Sequence, residues 1–244
     1  MSRRILILGA TSGIARSVAD AFAERGEQLV LAARNLEEAE RIAADLRVRH
    51  QATAEVIRFD ATDHASHAGV LDAAGKLDGV VVAFGTMVEQ ERAQAEPEEA
   101  LRTIDVNFTG VVSVLERVAA RFEEAGAGFI AGISSVAGDR GRMSNYIYGS
   151  AKAGMTAYLS GLRNRLTKKN VHVVTVKPGF VYTAMTHGLL DPDSPLVATP
   201  EKAAKDILRA VDKRRNVLYT PWFWRWIMAI IRAIPEPVFK RLGL

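Results

Sequence analysis

Short apolar runs recur along the chain and alternate with segments of helical periodicity. The apolar runs lie at residues 3–8, 28–33, 54–60, 79–83, 128–133, 172–177 and 216–219. Strands that alternate with helices are typical of a parallel sheet that carries helices on both faces. The pattern therefore predicts an α/β fold, a doubly wound parallel sheet of about seven strands. In such a sheet, ligands bind at the carboxyl ends of the strands.

The first apolar run leads directly into a glycine-containing turn. The strand-type residues RRILIL precede the turn GATSGIA, and the helical segment RSVADAFAERG then ends at a glycine. Gly9 and Gly13 allow a tight turn and a close approach of the backbone to a pyrophosphate, which the following helix N-terminus also attracts. The second run, QLVLAA, completes a βαβ unit within about 30 residues. This order predicts a dinucleotide-binding site at the turn.

The residues after the second strand indicate which dinucleotide binds. An acidic residue there would hydrogen-bond the ribose 2′-hydroxyl of NAD, but this chain has Ala33 followed by Arg34. Because a guanidinium suits a phosphate better, we interpret Arg34 as the ligand of the 2′-phosphate of NADP, helped by Asn35 and by Thr11 or Ser12. The alternative is that Arg34 is a solvated residue at the start of the next helix.

A second motif carries the predicted chemistry. Tyr148 follows Ser135 by thirteen residues, and Lys152 follows Tyr148 by four. Positions i and i+4 share one face of a helix, so the Lys152 ammonium can approach the Tyr148 phenol and lower its pKa. Ser135, at the end of the preceding strand, can hydrogen-bond the same substrate oxygen. We therefore interpret Tyr148 as a general acid or base, whereas Tyr146 falls on a different face of the helix from Lys152. A lone Tyr-x-x-x-Lys pair is more often a solvated helix face.

Several motifs in the same order resemble the classical short-chain dehydrogenase/reductase family, over about three quarters of the chain. The matching residues are Gly9, Gly13, Asp60, Gly85, Asn107, Ser135, Tyr148, Lys152 and the segment PGFVYT at 178–183. The resemblance implies a single-domain Rossmann-like fold and a catalytic tetrad of Asn107, Ser135, Tyr148 and Lys152. In that tetrad Asn107 holds a water molecule that links Lys152 to solvent.

The resemblance also implies the cofactor contacts. They are the glycine turn at Gly9, Thr11, Ser12, Gly13 and Ile14, the adenine contacts Asp60 and Ala61, Gly85, the ribose contacts Tyr148 and Lys152, and Pro178, Gly179, Val181 and Thr183 on the nicotinamide side. The chain departs from the family pattern in two places. Ala15 replaces the third glycine of the turn, and VAFG at 82–85 stands where the family has two asparagines before Ala-Gly.

Length and composition set further bounds. The 244 residues, 48% of them hydrophobic, suffice for one good-sized domain, and we assign residues 1–220 to a dinucleotide-binding catalytic domain. The chain has no cysteine, which excludes disulfides and thiolate metal sites. His64 and His67 are the nearest approach to a ligand pair, but we expect both to be solvated and predict no metal site. The segment MSRRILILGA leads directly into the predicted cofactor-binding unit, so we interpret its short apolar stretch as a strand rather than a signal peptide. We therefore expect a cytoplasmic protein.

The end of the chain is basic and aromatic. Residues 213–244 carry seven basic side chains against Glu236, a balance of +6, whereas the other residues carry 25 basic and 27 acidic groups, or −2. We assign residues 221–244 to a helical extension. Its apolar segment 222–234 forms a helix of about 20 Å, too short for a bilayer core of roughly 30 Å.

We expect peripheral membrane contact through 222–234, with packing on another subunit or over the active-site cleft as the alternative. We expect a homo-oligomer and no nucleic-acid binding.

A subgroup of bacterial reductases that act on decaprenylphosphoryl-2-keto-ribose is similar to this chain in three segments. These are the helical extension 221–244, called the tail below, the residues VAFG at 82–85, and the segment between Ser135 and Tyr148. This similarity implies a polyprenyl-phosphate-linked 2-ketopentose as substrate, NADPH as cofactor and a separate flavin oxidase as functional partner. Arg140 and Arg142 could meet a phosphodiester, or lie in a solvated loop. Two other functions stay open. One is the reduction of a soluble ketone, diketone or acyl-chain carbonyl, with the tail serving as a lid or an oligomer contact. The other is a cofactor-binding regulatory role without turnover, and the intact tetrad argues against it.

Overall fold

A parallel sheet of seven strands forms the centre of the protein in a computed structural model that describes residues 2–186, 188, 191 and 193–243. The strands of the described residues are β1 (Arg4–Leu8), β2 (Gln28–Ala33), β3 (Ala54–Arg58), β4 (Gly79–Val82), β5 (Phe129–Ile133), β6 (His172–Pro178), β7 (Phe180–Val181), β8 (Val197–Ala198) and β9 (Val217–Thr220). The sheet has the order β3-β2-β1-β4-β5-β6-β9, and β7 pairs separately with β8. The predicted doubly wound fold is confirmed.

Helices connect the strands and cover both faces of the sheet. The helices of the described residues are α1 (Gly13–Ala23), α2 (Leu36–His50), α3 (His67–Ala74), α4 (Gln90–Ala95), α5 (Pro97–Ile104), α6 (Gly110–Ala125), α7 (Tyr146–Thr167), α8 (Pro200–Asp212), α9 (Trp224–Ala233) and α10 (Glu236–Phe239). A π-helical turn, Asp105–Thr109, lies between α5 and α6, and a 3-10 turn, Val136–Asp139, follows β5.

Alternate residues of each strand supply two separate cores. In β1, Ile5 and Ile7 belong to the core under α1, α2 and α8, whereas Leu6 and Leu8 belong to the core under α3, α6 and α7. Successive side chains of a strand point to opposite faces, so a continuously apolar strand is stable only where both faces are covered. This burial on both sides explains why the strands read as unbroken apolar runs.

The predicted C-terminal extension packs directly against the body of the protein. Trp224 and Met228, on the inner side of α9, are buried with Val136. The ring of Trp224 lies edge-on to Phe180, with 4.8 Å between ring centroids. A Cβ atom at Gly179 would lie 2.1 Å from Trp224 Nε1, so only glycine lets the indole approach this closely.

Met1 of the predicted catalytic domain 1–220 and Leu244 of the predicted extension 221–244 lie outside the described residues. Among the helices that the structure describes, none has the length and apolar character needed to cross a bilayer.

Candidate active site

A cavity of about 570 Å³ lies at the carboxyl ends of β1, β4, β5 and β6. It is lined by these residues predicted from the sequence: Thr11, Ser12, Gly13, Ile14, Gly85, Ser135, Arg142, Tyr148, Lys152, Pro178, Gly179, Val181 and Thr183. A smaller recess shares Thr11, Ser12 and Gly85 with it and is also lined by Gly9, Arg34, Asn35, Asp60 and Ala61. The two hollows form one elongated site, with the predicted cofactor residues along its length.

The glycine turn opens the N-terminus of α1 toward this site. Gly9 has a φ of +82°, and a Cβ atom there would lie 2.6 Å from the backbone of Phe84, so the turn requires glycine. Ser12 caps α1 by accepting a hydrogen bond from the Ala15 N–H at 3.3 Å, and its hydroxyl donates to the Ala83 carbonyl at 3.1 Å. The turn is therefore tied to the end of β4 and fits a dinucleotide pyrophosphate.

The smaller recess has the chemistry expected for the adenosine end of a dinucleotide. Arg34 is exposed and forms no ion pair with another described residue. Asn35 caps α2 through a 3.1 Å hydrogen bond from the Glu38 N–H. Asp60 accepts hydrogen bonds from the N–H and hydroxyl of Thr62, and the backbone bond is the main cause of its lowered pKa. The recess thus offers an exposed cation, Arg34, whose charge also contributes to the lowered pKa of the fixed Asp60 carboxylate.

His67 lies beneath this recess, and the expectation that it is solvated is wrong. Its ring is buried, with Nε2 2.9 Å from the Asp60 carbonyl oxygen and Nδ1 3.0 Å from Ser113 Oγ. It stacks on Phe59 at 5.1 Å between centroids. Burial lowers the pKa of His67, so the neutral ring supports the backbone at Asp60. The Ser113 partner lies 46 residues away on another element, and sequence spacing does not reveal that contact.

The catalytic side chains predicted from the Ser-Tyr-Lys spacing meet at the deep end of the larger cavity. Lys152 Nζ lies 5.7 Å from the centroid of the Tyr148 ring and donates to the Ile133 carbonyl at 3.1 Å. Ser135, in extended conformation after β5, accepts a hydrogen bond from the Ala137 N–H at 3.1 Å. Tyr146 is exposed. The structure therefore places Tyr148 beside Lys152 and leaves Tyr146 at the surface.

Burial dominates the ionisation of this pair. It raises the pKa of Tyr148 to about 12, and a hydrogen bond with Ser135 acts in the opposite direction. Burial also lowers the pKa of Lys152 to about 8. The expected lowering of the Tyr148 pKa is thus wrong for the protein by itself, because desolvation of the phenolate outweighs the opposing hydrogen bond with Ser135. At neutral pH Tyr148 keeps its proton, as a general acid requires.

Asn107 is fully buried in the π-helical turn. Its amide nitrogen donates to the carbonyls of Thr86 and Thr103 at 2.7 and 2.8 Å, while Oδ1 has no partner among the described residues. The point where a Cβ of Gly85 would stand is 2.7 Å from Asn107 Oδ1 and 3.5 Å from Lys152 Nζ. Asn107 Oδ1 and Lys152 Nζ thus both lie close to the α-carbon of Gly85, and the relay through a bound water stays a prediction.

The two arginines after the 3-10 turn have different environments. Arg140 does not line the cavity, and the expectation that it contacts substrate is corrected. Its guanidinium donates to the carbonyls of Ile231 and Ile234 at 2.6 and 2.7 Å and to Glu236 at 2.9 Å. Arg140 therefore fixes the end of α9. Arg142 does line the cavity.

A buried ion pair, absent from the sequence-based expectations, holds the 3-10 turn after Ser135. Lys177 of β6 donates to Asp139, whose second carboxylate oxygen accepts a 2.8 Å hydrogen bond from the Tyr219 hydroxyl. The Asp139 and Lys177 side chains are both nearly inaccessible. A buried charge is tolerated when it is paired and hydrogen-bonded, so these contacts stabilise the turn. The three residues lie far apart in sequence, and no local pattern links them.

Comparison with known proteins identifies relatives of this chain. A family model described as short chain dehydrogenase matches residues 3–193. An uncharacterized oxidoreductase of Mycobacterium tuberculosis is 35% identical over 242 residues, covering 98% of this chain and 96% of the relative. An uncharacterized oxidoreductase from the mprA 5′ region of Streptomyces coelicolor is 35% identical over 244 residues, with the same coverage.

Two solved structures share the fold and a quarter or more of the sequence. A short-chain dehydrogenase from Sphingobium yanoikuyae in complex with NADPH is 28% identical, has a TM-score of 0.83 and covers 96% of this chain and 97% of its own. A bulky-bulky ketone specific alcohol dehydrogenase from Comamonas testosteroni is 27% identical, has a TM-score of 0.81 and covers 96% and 95%. Together with the matched family model, these similarities show that the chain belongs to the short-chain dehydrogenase/reductase family of NAD(P)-dependent oxidoreductases.

Proposed function

We propose that this protein is an NADPH-dependent carbonyl reductase. The observation that carries the proposal is the grouping of Asn107, Ser135, Tyr148 and Lys152 around one cavity that continues into the recess at Arg34. Bound NADPH supplies the hydride for the carbonyl carbon. Tyr148 donates its proton to the carbonyl oxygen, which Ser135 holds by a hydrogen bond, and the Lys152 ammonium stabilises the phenolate that results.

Arg34 supports the choice of NADPH, because it is an exposed cation free of any ion pair with the described residues at the end of β2. Replacing Arg34 by Ala should weaken NADPH binding by roughly 1.5–3 kcal/mol, the scale of a hydrogen bond to a charged group, and leave NADH binding almost unchanged. Fluorescence titration of both cofactors measures this. The exposed Arg41 on α2, changed to Ala, is the matched control. Equal losses for NADPH and NADH would show that Arg34 does not bind the 2′-phosphate.

For the substrate we propose a polyprenyl-phosphate-linked 2-ketopentose. The cavity walls contributed by Met87, Val136, Phe180 and Met185 are apolar, and Arg142 places a cation among them. Such a site suits a lipid-linked sugar with a phosphodiester. The functional partner of this reductase is then a flavin oxidase that generates the keto group from the corresponding alcohol. We also propose that the protein is a homo-oligomer.

We propose that the outer side of α9 contacts the membrane, on the cytoplasmic side. Trp222, Trp226 and Ile230 follow one another at intervals of four residues and are 70%, 60% and 68% exposed. The exposed basic residues around them are Arg225, Arg232, Lys240 and Arg241. Aromatic residues with basic neighbours suit the headgroup region of an anionic bilayer. The inner side of α9 contacts Phe180 and Val136, so this surface lies next to the substrate cavity.

A second candidate function is the reduction of a soluble ketone, diketone or acyl-chain carbonyl. The large apolar walls of the cavity favour it, as does the similarity to the alcohol dehydrogenase specific for bulky ketones. A third candidate, a regulator without turnover, leaves the complete tetrad unexplained.

Incubation with NADPH carrying deuterium at the transferred position, in the presence of the lipid-linked ketopentose, separates these functions. The proposal expects one deuterium at the former keto carbon of the product, detected by mass spectrometry. Transfer to a soluble bulky ketone, with none to the lipid-linked sugar, would favour the second candidate. Absence of transfer to either substrate, with NADPH bound, would favour the regulator.

A further inference from the structure

Two buried polar atoms at the substrate cavity have no hydrogen-bond partner among the described residues. They are Nε of Arg142 and Oδ1 of Asn145. Both residues line the 570 Å³ cavity that also contains Tyr148. The Asn145 N–H donates to the Arg142 carbonyl at 3.1 Å, and the Asn145 carbonyl accepts from the Gly149 N–H at 2.8 Å. One turn, anchored to the start of α7, therefore presents both side chains beside the catalytic tyrosine.

The two unpaired atoms have opposite hydrogen-bonding character. A guanidinium only donates, whereas an amide oxygen only accepts. Buried polar atoms in folded proteins are nearly always paired, so an unpaired donor and an unpaired acceptor at a cavity wall indicate a ligand that supplies both partners. An entirely apolar ketone would leave both atoms unsatisfied, and a diketone offers no donor to Asn145.

Arg142 is also a cation without a counter-ion among the residues that the structure describes. The nearby Arg140 has its donors occupied by Ile231, Ile234 and Glu236, so it is not free to bind a ligand. Burial lowers the pKa of the Arg142 guanidinium, which reflects poor solvation of its charge. A poorly solvated, unpaired guanidinium binds an anionic oxygen more strongly than a neutral one.

We propose that Arg142 and Asn145 form the specificity site of the enzyme, in which Arg142 binds an anionic oxygen of the substrate and Asn145 accepts a hydrogen bond from a substrate hydroxyl. This inference rests on the proposed carbonyl reductase function and assigns two side chains that select a hydroxylated ketone carrying a phosphate ester. Asn145, in particular, distinguishes ketoses from unsubstituted ketones. The apolar wall at Phe180 and Met185 accommodates the rest of the molecule.

Three small ketones isolate the two contacts: 2-butanone, dihydroxyacetone and dihydroxyacetone phosphate. Steady-state NADPH oxidation gives kcat/KM for each, and wild-type values should rise in that order. R142M should lower the ratio of dihydroxyacetone phosphate to dihydroxyacetone by about 10- to 100-fold, since it removes a charged hydrogen bond. N145A should lower the ratio of dihydroxyacetone to 2-butanone by about 3- to 10-fold. The surface variant R41M should change neither ratio.

Calorimetric titration of the NADP-loaded protein with dihydroxyacetone phosphate provides an independent measurement. If none of the three small ketones is reduced, the protein has no reductase activity on them, yet binding of dihydroxyacetone phosphate that is lost in R142M and kept in R41M would still support the anion site. The inference is overturned if both variants lower kcat/KM for all three ketones equally, if R142M weakens NADPH itself, or if the loaded wild-type protein does not bind dihydroxyacetone phosphate.

Discussion

At the scale of single residues, burial sets the ionisation of the two groups that we propose to take part in proton transfer. Tyr148 has its pKa raised to about 12 and Lys152 has its pKa lowered to about 8, both mainly by desolvation. The pair is therefore a protonated phenol beside an ammonium at neutral pH. Burial opposes loss of the phenol proton to a substrate oxygen, so the adjacent ammonium should matter by stabilising the phenolate that forms.

Changing Tyr148 to Phe should abolish reduction without disturbing the cofactor. Only the hydroxyl is removed, so turnover should fall by at least about 10²–10⁴-fold, the range for loss of a general acid. NADPH affinity should barely change. The exposed Tyr146, changed to Phe, is the matched control. Steady-state kinetics on any accepted ketone makes the measurement, and loss of rate in the Tyr146 variant alone would reverse the assignment.

The pH profile should report the charge of Lys152. Below a pKa of about 8 the ammonium is charged, and above it the charge is lost. The rate of reduction should therefore fall as pH rises through about 8, because the phenolate formed from Tyr148 then lacks its cation. In a Lys152→Met variant the remaining slow rate should show no such step. A wild-type profile that stays flat to pH 10 would contradict this role.

At the scale of elements, α9 has two sides with different partners. Its inner side packs on the 3-10 turn, and Arg140 binds the carbonyls at its end while its guanidinium stacks 3.6 Å from the centroid of the Phe239 ring. Removal of the whole segment would expose this apolar contact, so truncation does not test the membrane proposal cleanly. Substitutions on the outer side leave the packing intact.

The triple variant Trp222→Gln, Trp226→Gln, Ile230→Gln should lose vesicle binding and keep its fold. Wild-type protein should sediment with anionic vesicles more than with neutral ones, and salt should weaken the electrostatic part. The exposed Val48 on α2, changed to Gln, is the control. Light scattering on the same samples reports oligomer size. Wild-type protein that stays in the supernatant at low salt, or a triple variant that dissociates the oligomer, would show that the outer side binds another subunit.

At the scale of the whole molecule, the two ends of the strands have different surroundings. The candidate site lies at the carboxyl ends, whereas His172 is the first residue of β6 and lies at the amino ends. Burial is the largest cause of a His172 pKa lowered to about 4, with Arg214 and Arg163 adding to it. The folded protein thus keeps His172 neutral at a pH where the unfolded chain binds a proton. Its contribution to stability is present above pH 6.5 and is lost as pH falls toward 4.

Replacing His172 by Gln should make the protein less sensitive to acid. The decrease in Tm between pH 7 and pH 5 should be smaller than in wild type by on the order of 2–4 °C, since one source of proton uptake on unfolding is gone. Activity at pH 7 should be nearly unchanged, because His172 lies far along β6 from the cavity. Differential scanning calorimetry at both pH values measures the effect, and an equal decrease in both proteins would contradict it.

The sequence by itself determined the features that depend on local spacing. Apolar runs that alternate with helical segments indicated a parallel sheet, and all but the last of its predicted strands then had a predicted site residue near the carboxyl end. The four-residue interval between Tyr148 and Lys152 placed both on one side of α7, because helix geometry repeats over that distance. Glycine at position 9 indicated a tight turn, which the structure shows with positive φ.

Only the tertiary structure decided which side chains are free and which are buried. Arg140 and Arg142 look equivalent in sequence, but the first binds the Ile231 carbonyl at the end of α9, 91 residues away, and the second lines the cavity. His67 has its partners on other elements, and burial reversed the expected direction of the Tyr148 pKa. Desolvation and hydrogen-bond pairing depend on which distant segments pack together, and a one-dimensional pattern contains no record of those contacts.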